Sequence, residues 1–139
     1  MSKPIFKRFL GTWVLDPATC QYEQGPPPVS ATYHFASEKG EAVITMSWSD
    51  ADAETHSMTF NGPTDGTLVP FNGGQLADAL SIEAPTELEL HSSAYLHQLE
   101  LMTAKRTLSA DGTEMTVCQT VILPDGTMPT NTAVYRRMM

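Results

Sequence analysis

A chain of 139 residues with 41% hydrophobic content is long enough to bury one core and too apolar to stay disordered. Eight Lys and Arg against sixteen Asp and Glu give a net charge of −8, which repels phosphate backbones and anionic lipid and so sets nucleic acid aside as a partner. Cys20 and Cys118, the two cysteines, lie outside any C-x-x-C spacing and make no disulfide framework, and whether they pair with each other is open.

The chain opens with "MSKPIFKRFLGTW", which carries basic residues but no apolar run long enough for a leader or a membrane helix. No membrane insertion is expected, and a cytoplasmic location is the default, periplasmic if a leader has been trimmed. Within this stretch Ile5, Phe6, Phe9 and Leu10 share a face at helical spacing after Pro4, so a single helical turn is expected there.

Turn signals then recur: "SEKGE", "SDADAE", "NGPTDG", "FNGG", "APTE", "SADG" and "LPDG". Between them short runs rich in Thr, Val, Tyr, Phe and Ile predict strands over 12–15, 31–37, 41–48, 53–60, 67–71, 79–83, 87–92, 95–108, 113–123 and 128–137. The link "QGPPPVS" must be extended. No composition break divides the chain, so 1–139 reads as one domain. A meander of this length leaves two exposed edges unless it closes. The expected fold is therefore all-β, a single antiparallel up-and-down barrel of about 8–10 strands.

Period two assigns the faces. Tyr33 goes with Phe35, and Ile44 with Met46 and Trp48. His56, Met58 and Phe60 form a set, as do Met102, Ala104, Arg106 and Leu108, and Met115, Val117, Gln119 and Val121. If these face inward, the lumen is apolar, rich in Met and interrupted by a few polar groups. Such a lumen suits a small-molecule pocket and equally an ordinary filled core.

The start of the first strand, "FLGTWVLDP", and a basic residue on the last strand resemble the calycins, the lipocalins and fatty-acid-binding-like barrels. The resemblance implies that Trp13 lies across the closed end of the barrel under Arg136 or Arg137, with Gly11 allowing a tight approach that a Cβ would block. The chain also resembles, along almost its whole length, a narrower group of bacterial lipocalin-like proteins of unassigned function. The segments that carry this are "GTWVLDPATCQY", "GPPPVSATYHF", "DGTLVPFNGG", "ADALSIE", "KRTLSADGTEMTV" and "LPDGTMPTNTAVYRRM". The segment "SAYLHQLEL" departs from that group, lacking its Lys-rich, Gly-containing hairpin.

Arg106 is the leading site residue. An inward Arg needs a partner. In fatty-acid-binding-like barrels an internal Arg, helped by a Tyr, meets a ligand carboxylate. Tyr135 and Gln119 are the candidate helpers here. A register slip of one would instead put Lys105 inside, and an internal pair with Glu100 would leave no ligand role. Trp48, Met46, Met58, Phe60, Met102, Met115 and His56 complete the candidate lining.

The four His, at 34, 56, 91 and 97, have no metal-binding spacing, so no metal is expected. No catalytic motif and no cofactor motif is present, so no catalytic residue and no cofactor are assigned. Asp50, Asp52 and Glu54 read as turn formers. "NGPTDG" and "FNGGQLADA" read as ordinary turns or as a portal. The expected function is non-enzymatic binding, inside the barrel, of a small apolar or amphipathic molecule, with or without an anionic end. The alternative is a filled barrel acting as an interaction module, a homodimer without a ligand.

Overall fold

The structure is a computed structural model and describes residues 5–71 and 77–138. Among these residues a short 3-10 turn, Lys7–Phe9, precedes ten antiparallel strands. They are β1 (Gly11–Tyr22), β2 (Ser30–Glu38), β3 (Glu41–Ser49), β4 (Thr55–Gly62), β5 (Val69–Pro70), β6 (Ala79–Thr86), β7 (Glu89–Leu96), β8 (Leu99–Leu108), β9 (Glu114–Val121) and β10 (Thr130–Arg137). Sequential strands pair in a meander, except that β4 and β5 do not, and β10 returns to pair with β1, giving the order β4-β3-β2-β1-β10-β9-β8-β7-β6-β5. The barrel is therefore up-and-down and nearly closed. At the β4–β5 seam side chains replace the ladder: a Cβ on Gly62 would lie 3.4 Å from Val69 and 3.7 Å from Ile82.

One end is filled. Phe6, Phe9, Trp13, Phe35, Ile44, Leu90, Leu108 and Met115 are all buried there or along the adjoining wall. The Trp13 indole N–H donates to the Phe9 carbonyl at 2.9 Å, which ties the first strand to the 3-10 turn. Arg137 lies over the Trp13 ring, and its guanidinium donates to the carbonyls of Leu10, Gly112 and Arg8. Arg136 is not the cap. One residue away on a period-two strand it faces outward, pairing with Asp16 and Glu114.

Two expectations are corrected at this end. Ile5 is 46% exposed, because a three-residue 3-10 turn cannot hold the apolar face that a full helical turn would present. Pro4 lies outside the described residues. At Gly11 a Cβ would be only in ordinary contact with Arg137, at 3.5 Å; the φ of +114° is what selects glycine there.

The strand bounds differ where turn chemistry is atypical. The run 95–108 is broken by His97 and Gln98, both with positive φ, and Leu96 pairs with Leu99 across this two-residue turn. Such a turn favours Asn and Gly, so His-Gln gives no signal in sequence. The first strand extends beyond 15 through Asp16-Pro17 to Tyr22, with a register shift between Asp16 and Gln21. Pro17 cannot donate to a ladder. Thr19 compensates, its hydroxyl accepting the Val134 N–H at 2.8 Å and donating to the Asp16 carbonyl at 2.7 Å. Strand 67–71 shrinks to Val69–Pro70.

The cysteines do not pair. Cys20 on β1 and Cys118 on β9 flank β10, about 9–10 Å apart at ordinary strand spacing, beyond disulfide reach. Of the two Gly-rich loops proposed as turns or portal, residues 72–76 lie outside the described residues.

Candidate functional site

Above the filled end the barrel holds a cavity of about 340 Å³. Its wall is built from Met46, Met58, Phe60, Phe71, Leu80, Ala94, Leu101, Met102 and Val121, with Tyr33, Ser92, Ser93, Gln119 and Arg106 as the polar interruptions. The alternation of β3, β4, β8 and β9 puts Met46, Met58, Phe60, Met102, Arg106, Gln119 and Val121 on one side of their strands, as the period-two reading expects, while Leu101 joins them where the β7–β8 register shifts.

Arg106 is the one charged residue in this wall among the described residues. It is 1% exposed. One terminal nitrogen, Nη1, donates to Ser92 Oγ at 3.0 Å, and the guanidinium carbon lies 5.1 Å from the Tyr33 ring centroid. Nε has no partner. No carboxylate of the described residues pairs with Arg106; Glu100 is exposed and accepts from the Tyr95 hydroxyl instead. Lys105 is exposed, so the register is the one that places Arg106 inside. A buried, incompletely partnered guanidinium in an apolar chamber is a costly arrangement that an anion relieves.

The two expected helpers sit differently from one another. Gln119 lines the cavity but its amide donates to Met102 Sδ at 2.8 Å, not to a partner of Arg106. Tyr135 is buried, edge-on to Tyr33 at 5.0 Å between centroids. Burial drives its phenol far above the ordinary range, so it remains a protonated donor. It lines not this cavity but an adjoining hollow of about 270 Å³, together with Tyr22, Pro26, Pro28, Trp48 and Asp50. Tyr33, Met46 and Gln119 belong to both walls.

Two of the expected lining residues are elsewhere. Met115 is fully buried in the closed end, opposite Leu108 and Tyr135, where the narrowing barrel is packed solid. His56 stacks on Trp48, 5.4 Å between centroids, and its Nε2 is 3.2 Å from Asp50 Oδ2. It sits at the strand end, where the turn draws it to the rim. Ile44 and Val117, inward as expected, are also core rather than cavity.

Ser92 was not singled out by sequence, and Tyr33 was placed on a face with Phe35 but not as a site residue. Ser92 alternates with Leu90 and Ala94, and a lone hydroxyl on an inward apolar face is its only signal. The turn residues Asp50 and Glu54 come together with His56, their ligand atoms within 4.8 Å. Asp50 Oδ1 already accepts the N–H groups of Asp52 and Glu54, so turn formation accounts for the cluster.

A meander barrel with one packed end, a Trp there beneath a basic residue of the last strand, and an internal cavity is a fold found among several solved structures. The fold is shared with a Schistosoma mansoni fatty acid binding protein solved in complex with arachidonic acid, at TM-score 0.63 and 13% identity, over 97% of this chain and 99% of that one. As-p18, an extracellular fatty acid binding protein, matches at TM-score 0.58 and 10% identity over 98% and 100%. A zebrafish ileal bile acid-binding protein complexed with cholic acid matches at 0.57 and 10% over 94% and 99%. These identities establish the fold alone. No protein-family profile and no curated protein sequence matches the chain.

Proposed function

We propose that this barrel binds a small amphipathic molecule non-covalently, its apolar part in the 340 Å³ cavity and an anionic end on Arg106. The observation that carries this is Arg106, 1% exposed with Nε unpartnered, the one charged residue among the described residues of a mostly apolar wall. An ionised carboxylate on the guanidinium supplies the missing acceptor, and Ser92 holds the fork from its other side. The Met side chains adapt to ligands of several shapes. The bound acids of the structurally similar proteins support the same class of ligand.

Size narrows it. At roughly 30 Å³ per water-sized group, the cavity takes about ten non-hydrogen atoms, which suits a medium-chain acid. A void of this volume favours binding over the alternative of a filled interaction module.

The test is calorimetry with decanoate and decanol. Decanoate should bind one per chain, decanol about tenfold more weakly, and Arg106→Met should remove the difference. Absence of binding by either probe would return the choice to the interaction module.

A further inference from the structure

The lumen has a second chamber whose walls differ in kind from the first. Four aromatic rings, Tyr22, Tyr33, Trp48 and Tyr135, converge on the 270 Å³ hollow with Pro26 and Pro28 of the link between β1 and β2. Aromatic rings on several sides suit a flat guest. The one charged residue in this wall, among the described residues, is Asp50. Its carboxyl is held below its ordinary range chiefly by the His56 hydrogen bond, so it is ionised. Three of its acceptor directions are used, by His56 and by the N–H groups of Asp52 and Glu54, which leaves capacity for one more donor. The groups facing it are thus His56 and Glu54 from its own hairpin and the aromatic wall of the chamber.

The two chambers are therefore opposite in charge: Arg106 is the charged group of one and Asp50 of the other. Trp48 is held by stacking with His56, 5.4 Å between centroids, and lines the chamber. We infer that the outer chamber is a distinct binding site for a flat aromatic group bearing an amine or other hydrogen-bond donor, stacked on Trp48 and the tyrosines and directed by Asp50. This goes beyond the acid-binding reading, and rests on different residues. A single ligand that spans both chambers through the shared wall of Tyr33, Met46 and Gln119 would carry an anion at one end and an aromatic amine at the other.

The probe is 1-naphthylmethylamine, with 1-naphthylmethanol as its neutral counterpart, titrated calorimetrically into the full chain with and without saturating decanoate. The amine should bind more tightly than the alcohol, and its affinity should change less than about threefold in the presence of decanoate, as for separate chambers. Trp48→Ala should weaken it about tenfold while leaving decanoate unaffected. Asp50→Asn, which keeps the Oδ1 acceptor for the turn, should remove the advantage of amine over alcohol and preserve the fold by circular dichroism. Failure of the amine to bind, full competition with decanoate, or indifference to both substitutions would overturn the inference. Amine binding without decanoate binding would leave this chamber standing and bring down the acid-binding reading of the other.

Discussion

The Arg137 guanidinium carbon lies 4.2 Å from the centroid of the Trp13 ring, and the same guanidinium donates to three backbone carbonyls on two different segments. The pair joins the N-terminal turn, the first strand, the last strand and the β8–β9 hairpin at the packed end. Trp13→Ala should cost about 3–5 kcal/mol, as for large aromatic truncations in a core. Arg137→Ala should cost about 2–4 kcal/mol, and Arg137→Lys should recover only part of it, because an ammonium has no fork for three carbonyls. Urea denaturation of the three variants measures this; an Arg137→Ala variant as stable as the parent would remove the clasp from the account.

Arg106 should show the opposite balance. Its Nε is buried without a partner, so Arg106→Met should raise stability by about 1–3 kcal/mol while abolishing selectivity for decanoate over decanol. Thermal denaturation and calorimetry on one variant read both. A variant less stable than the parent would mean that the Ser92 hydrogen bond and the stacking on Tyr33 outweigh the desolvation of the charge.

The His97-Gln98 turn holds two non-glycine residues at φ of 50° and 70°. Replacing them with Asn-Gly should stabilise the chain by about 1 kcal/mol and leave ligand binding unchanged. A denaturation midpoint that does not move would show that neighbouring contacts, such as the His97 N–H to Asp78, already repay the strain.

Asp111 makes the β8–β9 turn pH-dependent. Hydrogen bonds from the Ser109 and Thr113 hydroxyls, then from the Thr113 N–H, bring its carboxyl from 3.8 down to about 2. A carboxyl depressed on folding contributes stability that is complete above the unfolded value of 3.8 and is lost as the pH falls towards about 2. Asp111→Ala should accordingly be less stable than the parent at neutral pH, and the gap between the two melting temperatures should close across that window. A gap that stays constant with pH would show that the carboxylate's hydrogen bonds are not its source.

Period two along each run was enough to place Arg106, Met46, Phe60 and Met102 on inward faces, because an alternating strand at a barrel wall has only one inside. Gly11, Trp13 and a terminal arginine were legible as a cap through their resemblance to the calycin pattern, and parity on the last strand chose Arg137 over Arg136 once pairing with β1 was known. Depth along the strand was not legible. Met115 and Met102 have the same character and the same parity, yet one is packed in the narrow end and the other lines the cavity, since that depends on where each strand crosses the taper of the barrel. The His97-Gln98 turn was hidden because neither residue carries the Asn or Gly signal of a two-residue turn. Ser92 beside Arg106, and the rings of Tyr22, Trp48 and Tyr135 around a second chamber, come from five different strands when Arg106 is counted with them. Sequence alone determined what each strand turns inward; the register of the paired strands β7 and β8 decided that Ser92 meets Arg106, and closure of the sheet decided that Tyr33 of β2 meets it too, because that contact runs across the lumen and not along the chain.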